Sequence, residues 1–399
     1  MTATLWRMLD EMGNVLGEFT LDWTTQTGLA AMTTPCRPAT GRYCPVMVDP
    51  VHHHSNERQT LDLVALEKYL TLHIPTIRGP LSVGRLSGGQ SNPTYQLDCP
   101  AGRFVLRRKP PGTLLPTAHA IDREYRVMAA LGETDFPVPR MRHYCSDSTV
   151  IGTEFYVMDH VAGRVLFDTG LPNLTPTERR KTYEALIDTL ARLHSVDADT
   201  IGLGDFGRSG GYITRQTKRW AAQYRTSATA EIPAMERLID WLPAAVAAIP
   251  DETCLVHGDY RLDNVMLHPD RPEPVAVLDW ELSTLGHPLA DLSYFLMTWV
   301  FPTNLRYGMA DLNLAGLGVP SLSELAERYA RATGRGDLPD LDILLAYNIF
   351  RIAAILQGVY ARGLDGTASS TDALSKGADV PRLAEIGWRY AQRADPGHG

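Results

Sequence analysis

Asp259, Asn264 and Asp279 have residue types and spacing that suit one kind of chemistry. They occur in Leu255-Val256-His257-Gly258-Asp259-Tyr260-Arg261-Leu262-Asp263-Asn264 and after the apolar run Val275-Ala276-Val277-Leu278, which leads into Asp279-Trp280-Glu281. A carboxylate at Asp259 suits the orientation and deprotonation of a hydroxyl. Asn264 and the strand-end Asp279 offer hard oxygen ligands for Mg²⁺ on ATP phosphates. Phosphoryl transfer needs little covalent chemistry and much positioning, so the order of the three residues carries the signal. Each piece alone has a plainer reading, His-Gly-Asp as a turn and Asp-Trp as a strand-end turn.

The surrounding pattern predicts the elements that hold these groups. Residues 81–86, the Gly-rich 87–92, Tyr95-Gln96-Leu97 and Arg103-Phe104-Val105-Leu106-Arg107 read as a small antiparallel sheet. A helix is expected over 61–72, another near 118–131, and then a strand pair ending in Phe155-Tyr156-Val157-Met158. After Gly163 the pattern turns helical. Thr175-Pro176-Thr177-Glu178 supplies a cap, a proline at the first helical position and a glutamate three residues on, and Tyr183, Leu186, Ile187, Leu190 and Leu193 form one stripe. Further helices are expected at 234–248, 323–333, 341–361 and 381–392, with no internal repeat.

With 399 residues, 44% of them apolar and 21% charged, the chain fits two domains better than one. No apolar run is read as approaching the ~20 residues that span a bilayer, and no basic region leads a hydrophobic block at the N-terminus, so no membrane partner and a cytoplasmic location are expected. The five cysteines, Cys36, Cys44, Cys99, Cys145 and Cys254, form no Cys-x-x-Cys pair and argue against a disulfide framework or structural zinc. A net charge of −8 disfavours general nucleic-acid binding. Residues 1–56 read as a poorly ordered extension in which the first 46 residues hold no recognisable helix, strand or site. Met47 is an alternative start, and His52-His53-His54 is a solvated stretch rather than a metal site.

The motif His-Gly-Asp, four residues, Asn resembles that of the aminoglycoside phosphotransferase and choline kinase group. Gly88-Gly89-Gln90-Ser91-Asn92-Pro93-Thr94-Tyr95, Leu106-Arg107-Arg108-Lys109-Pro110-Pro111-Gly112 and the segment from Asp279 to Pro288 look most like the kinase domain found alone in bacteria or fused to acyl-CoA dehydrogenases. The resemblance runs from about Arg58 to the C-terminus. It implies an α+β, two-lobed protein-kinase-like fold, with an antiparallel-sheet N-lobe over 57–160 that binds nucleotide and a helical C-lobe over 161–399 that carries catalysis and the acceptor.

On that reading Ser87, Gly88, Gly89, Gln90, Ser91 and Asn92 form the phosphate-covering loop. Arg107 stands where related kinases carry the phosphate-gripping lysine, with Arg108 and Lys109 as alternatives, and Glu124 is its helix partner. The hinge residues Asp159, His160 and Val161 are expected to meet adenine through their backbone, between Val105-type residues and Met266. Asp291 is expected to brace the catalytic loop, and His194 to be a packed core histidine. The cofactors are ATP and Mg²⁺.

For the acceptor, charge discriminates. Residues 206–230 contain no acid and carry Arg208, Arg215, Lys218, Arg219 and Arg225 among Tyr212, Trp220 and Tyr224, and residues 344–361 are apolar and acid-free. A polycationic aminoglycoside needs an acidic pocket, whereas these residues suit an anionic acceptor with an apolar part, with Arg215, Lys218 and Arg219 as CoA-phosphate contacts. The resemblance implies a hydroxyacyl-CoA of the 4-hydroxyacyl type, phosphorylated before elimination and β-oxidation, with a separate acyl-CoA dehydrogenase as pathway partner. The alternatives are an aminoglycoside or other small-alcohol kinase and an inactive nucleotide-binding regulator.

Overall fold

Strand alternation gives the sheet two working faces. The computed structural model describes residues 4–9, 15–21, 61–86, 92–110, 120–305, 307–338, 341–368 and 372–395. Helix α1 (Leu63–His73) precedes strands β3 (Ser82–Arg85), β4 (Thr94–Cys99) and β5 (Gly102–Arg108), and α2 (Ile121–Leu131) precedes β6 (Met141–Cys145) and β7 (Phe155–Asp159). The five strands pair antiparallel in the order β3-β4-β5-β7-β6. On β5, Phe104 and Leu106 enter an apolar cluster with Leu66 and Leu70 of α1, while Val105 joins no apolar cluster among the described residues. Side chains alternate across a strand, so Arg107 shares the face of Val105 and Arg108 does not.

The rest of the chain is mainly helical. It comprises β8 (Arg164–Val165), α3 (Pro176–His194), α4 (Tyr212–Ser227), α5 (Pro233–Ala247), the short strands β9 (Cys254–Val256), β10 (Val265–Leu267), β11 (Pro274–Val277) and β12 (Thr284–Gly286), then α6 (Pro288–Leu296), α7 (Leu314–Leu317), α8 (Leu322–Ala332), α9 (Leu341–Leu364) and α10 (Asp379–Ala394). The expected cap of α3 forms in full, Thr175 and Glu178 each taking the other's backbone N–H. The architecture is two-lobed α+β, a sheet lobe followed by a helical one. The segment 160–163 joins them, and Gly163 lies so close to β10 that a Cβ there would collide with Met266 Cγ and meet Leu267 O at 2.7 Å.

Two expectations are corrected. Within residues 1–46, β1 (Thr4–Leu9) and β2 (Val15–Leu21) pair as an antiparallel hairpin, since Trp6, Val15, Phe19 and Thr20 are strand formers. That hairpin belongs to a unit Met1–Cys44, separate from Pro45–Gly399; the boundary expected at 56 and the three adjacent histidines lie outside the described residues. The expectation that no stretch is long and apolar enough to cross a bilayer also fails. By length and composition α9 suffices, but 67% of its most apolar window is buried inside the protein. It packs against α4, α5, α6 and α10, with Leu344, Leu345, Tyr347, Ile349 and Phe350 fully buried. Helix α9 is thus the core helix of its lobe.

Candidate active site

The short strands place the carboxylates. β9 pairs with β12 and delivers His257-Gly258-Asp259, while the hairpin of β10 and β11 sets Asn264 across from Leu278, whose N–H donates to Asn264 O at 2.8 Å. Asn264 and Asp279 therefore flank one hairpin mouth. A 3₁₀ turn over Leu262–Asn264 bends the chain back so that Asn264 Nδ2 donates to Asp259 O at 2.9 Å and to Asp259 Oδ2 at 3.1 Å. Tyr294 OH donates to Asp259 Oδ1, and Arg261 Nε stands 3.4 Å from Oδ2.

The loop beneath Asp259 is fixed by Asp291, which is 4% exposed on α6. Its carboxylate accepts from His257 N at 2.7 Å and Gly258 N at 2.9 Å, and His194 Nε2 lies 3.3 Å away. Burial opposes the Asp291 charge, but His194 and His257 outweigh it and hold the carboxyl below its usual range. His257 Nδ1 accepts from Asp259 N at 3.2 Å, so Nε2 carries the proton donated to Leu278 O at 2.9 Å. Gly258 has φ 82°, and a Cβ there would meet Leu282 O at 2.6 Å, which leaves glycine the only fit.

Asp279 is itself in the left-handed region, at φ 65°. Such a conformation is uncommon outside glycine, and Asp is among the residues that tolerate it. It brings Asp279 Oδ1 to 2.9 Å from Arg107 Nη2, while Arg107 Nε forms an ion pair with Glu124 Oε2 at 3.0 Å. Glu124, 1% exposed, also accepts from Asn92 Nδ2 and Tyr156 OH, each at 2.9 Å. Burial opposes the Arg107 charge, yet Tyr156, Glu124, Asp279 and Glu281 outweigh it and hold the guanidinium above its ordinary range. Burial likewise raises the Glu124 carboxyl, against the pull of Arg107 and Tyr156.

Residues 82–343 match the phosphotransferase enzyme family (APH). The chain belongs to that family. It is 44% identical over 332 residues to acyl-CoA dehydrogenase family member 10 of Mus musculus, covering 82% of this chain and 31% of the relative. To family member 11 of Rattus norvegicus it is 43% identical over 338 residues, 83% of this chain and 43% of that one. The chain thus spans less than half the length of these relatives. A crystal structure from Ralstonia eutropha JMP134, named as an aminoglycoside phosphotransferase, is 47% identical with TM-score 0.77 over 84% of this chain and 99% of that one. Choline kinase of Cryptosporidium parvum, at 10% identity and TM-score 0.56 over 84% and 96% of the two chains, shares the kinase-like fold alone.

Lys109 lies just past β5, on which parity decides whether Arg107 or Arg108 faces Asp279. Arg107 does; Arg108, 3% exposed, turns to the opposite face over the Tyr95 ring, and Lys109 pairs with Glu154 at 2.7 Å. Ser87, Gly88, Gly89, Gln90 and Ser91 lie outside the described residues, whereas Asn92 is fully buried against Glu124. In the hinge, the Asp159 carboxylate is held by Arg142 at 2.6 and 2.7 Å, Asp159 N donates to Arg140 O, and His160 N donates to Arg103 O at 3.4 Å. Val161 carries no such bond among the described residues.

The donor set fits a small hard cation. Asn264 spends its Nδ2 on Asp259, which turns Oδ1 away from that carboxylate, and Asp279 keeps Oδ2 beyond its bond to Arg107. Glu124, Asp279 and Glu281 also bring ligand atoms within 4.8 Å of one another, but Arg107 already supplies the positive charge to the first two. Two residues beside Asp259 escaped the sequence reading, Tyr294 and Arg351. Arg351 Nη2 donates to Gly258 O at 3.0 Å. The one available signal was a lone arginine in the acid-free apolar stretch 344–361.

Arg107 carries a direct expectation. Arg107→Ala should lower kcat/KM for ATP by roughly 10²-fold, the scale for losing one charged donor to a reacting phosphate, and Arg107→Lys should recover part of it. Equal activity in the parent and both variants would reduce Arg107 to a brace for Glu124.

Proposed function

We propose that this chain is a Mg·ATP-dependent phosphotransferase whose acceptor is a hydroxyacyl-CoA of the 4-hydroxyacyl type. Asp259 accepts the proton of the acceptor hydroxyl, whose oxygen bonds to the γ-phosphorus of ATP as the bond to the β–γ bridging oxygen breaks and ADP departs. Tyr294 and Asn264 hold the Asp259 carboxylate in place, and Arg107 is the residue that grips phosphate. Bound Mg²⁺, held by Asn264 and Asp279, would supply charge neutralisation on the phosphate oxygens.

The observation that carries the acceptor class is the sign of the charge next to Asp259. Arg261 is offset by Asp259 and Asp263, at 3.4 and 3.2 Å, which leaves Arg351 of α9, bound to Gly258 O, as the cation with no carboxylate in ion-pair range among the described residues; beside it lies Trp220 of α4, the helix that exposes Lys218, Arg219 and Arg225. This surrounding would repel an aminoglycoside or choline and attract an anionic acceptor with an apolar chain. The names of the relatives, acyl-CoA dehydrogenases, point toward acyl-CoA chemistry. A separate acyl-CoA dehydrogenase is the pathway partner on this reading.

The three basic residues are not equivalent. Arg215 Nη2 donates to Arg208 O at 2.9 Å, Arg219 lies over the Trp220 ring at 5.2 Å, and Lys218 is exposed. Replacing Arg215, Lys218 and Arg219 together by Ala should raise KM for 4-hydroxyacyl-CoA and flatten its salt dependence, with KM for ATP nearly unchanged. Parent-like kinetics would make these residues a solvated face. ADP release with a small alcohol or an aminoglycoside, and none with any hydroxyacyl-CoA, would overturn the acceptor.

A further inference from the structure

Arg351 is a buried cation without a matching anion. It is 9% exposed, and no carboxylate lies within ion-pair distance of it among the described residues. Two other arginines with little exposure are compensated. Arg107 has two carboxylates, and Arg179, also 9% exposed, donates to the carbonyls of Leu171, Pro172 and Leu317. A guanidinium carries five N–H donors, and Arg351 spends Nη2 on Gly258 O as its hydrogen bond within the protein. None of its nitrogens is both sealed from solvent and unpartnered, so the remaining donors keep some access to solvent.

The guanidinium is close to the reacting carboxylate. The Arg351 guanidinium lies 5.1 Å from the Tyr294 ring centroid and 5.9 Å from that of Trp220, and Tyr294 OH donates to Asp259 Oδ1. The two rings offset part of the cost of burying the charge, and the remaining donors of the fork have no protein acceptor among the described residues. A planar fork of this kind matches the two lone pairs of an acyl oxygen or the two oxygens of a carboxylate.

Resting on the phosphotransferase reading above, we propose that Arg351 binds the acyl oxygen of the acceptor, a thioester carbonyl or a free carboxylate, and thereby sets which hydroxyl reaches Asp259. The acceptor is then a hydroxy compound whose acyl group lies a few carbons from its hydroxyl. A neutral alcohol of the same length lacks this contact.

The test compares Arg351→Met, Arg351→Lys and the parent protein with 4-hydroxypentanoyl-CoA, free 4-hydroxypentanoate and 2-pentanol, following ADP release, KM for ATP and melting temperature. Arg351→Met should raise KM for the acyl-bearing acceptors by roughly 10- to 100-fold, as for a lost charged hydrogen bond, and Arg351→Lys should raise it less. KM for ATP should stay near parental, and the loss with 2-pentanol should be several-fold smaller than that with the acyl-bearing acceptors. The free acid separates a carboxylate contact from a thioester one by which of the two loses more. Unchanged acceptor KM with a lower kcat, or an equal loss with 2-pentanol, would overturn the assignment and leave Arg351 as a brace for Gly258. If the parent ignores the CoA thioester yet prefers the free acid to 2-pentanol and loses that preference in Arg351→Met, the CoA reading falls and the Arg351 contact stands.

Discussion

Asp259→Asn should turn over roughly 10²- to 10⁴-fold more slowly than the parent, the usual range for a positioned general base, with nucleotide affinity and melting temperature close to parental. The local hydrogen bonds make this variant a clean test. Asn264 Nδ2 and Arg261 Nε both approach Asp259 Oδ2, so the new amide must direct its oxygen there and its NH₂ toward Tyr294 OH, which can accept. The loop below, pinned by Asp291 through His257 N and Gly258 N, does not depend on the Asp259 side chain. What disappears is the capacity to take a proton. Rapid-mix measurement of ADP formation checks it, and turnover within a few-fold of the parent would remove Asp259 from the mechanism.

The ease with which this site is read from sequence follows from how its parts are spaced. Asp259, Asn264 and Asp279 lie on one loop and one hairpin, so their relation is local and survives as a pattern of residue types. The pairing of Arg107 with Glu124 and Asp279 joins a strand, a helix and a turn 172 residues away, and parity on β5 was needed to separate Arg107 from Arg108. Tyr294 and Arg351 come from α6 and α9, where neither spacing nor a motif ties them to Asp259; only the packing of the helical lobe brings them to it.

The elements show the same division. Helix α3 announces itself because Thr175 and Glu178 make a reciprocal cap, and α8 does so through Ser321 and Glu324. Helix α4 starts without a side-chain cap at Gly211, φ 59°, where Asp251 forty residues on accepts the Gly211 N–H, so its start has no local signature. A helix over 341–361 was legible, but its place at the centre of the lobe was not. Composition alone gives a membrane segment and a core helix the same look, and the neighbours α4, α5, α6 and α10 distinguish them.

Asp279→Asn should abolish tight Mg·ATP binding, raising the dissociation constant by about 10²-fold or more, because it neutralises one of the few protein ligands a small hard cation retains. Asp279→Ala should do the same but carries a second effect. At φ 65° an Ala is less well tolerated than Asp or Asn, at a cost of about 1 kcal/mol, so its melting temperature should fall while that of Asp279→Asn stays nearer the parent. Asp279→Ala removes the 2.9 Å bond to Arg107 Nη2, whereas the amide oxygen of Asp279→Asn can keep it, and both leave the ion pair with Glu124, so the Arg107 guanidinium remains buried and compensated. The loss should therefore depend on the metal: in EDTA, where no Mg²⁺ is bound, ATP affinity of the variants should match the parent. Titration calorimetry with and without Mg²⁺ reads both quantities. Unchanged Mg·ATP affinity in Asp279→Asn would exclude Asp279 as a metal ligand, and a loss of equal size in EDTA would assign its role to positioning Arg107 instead.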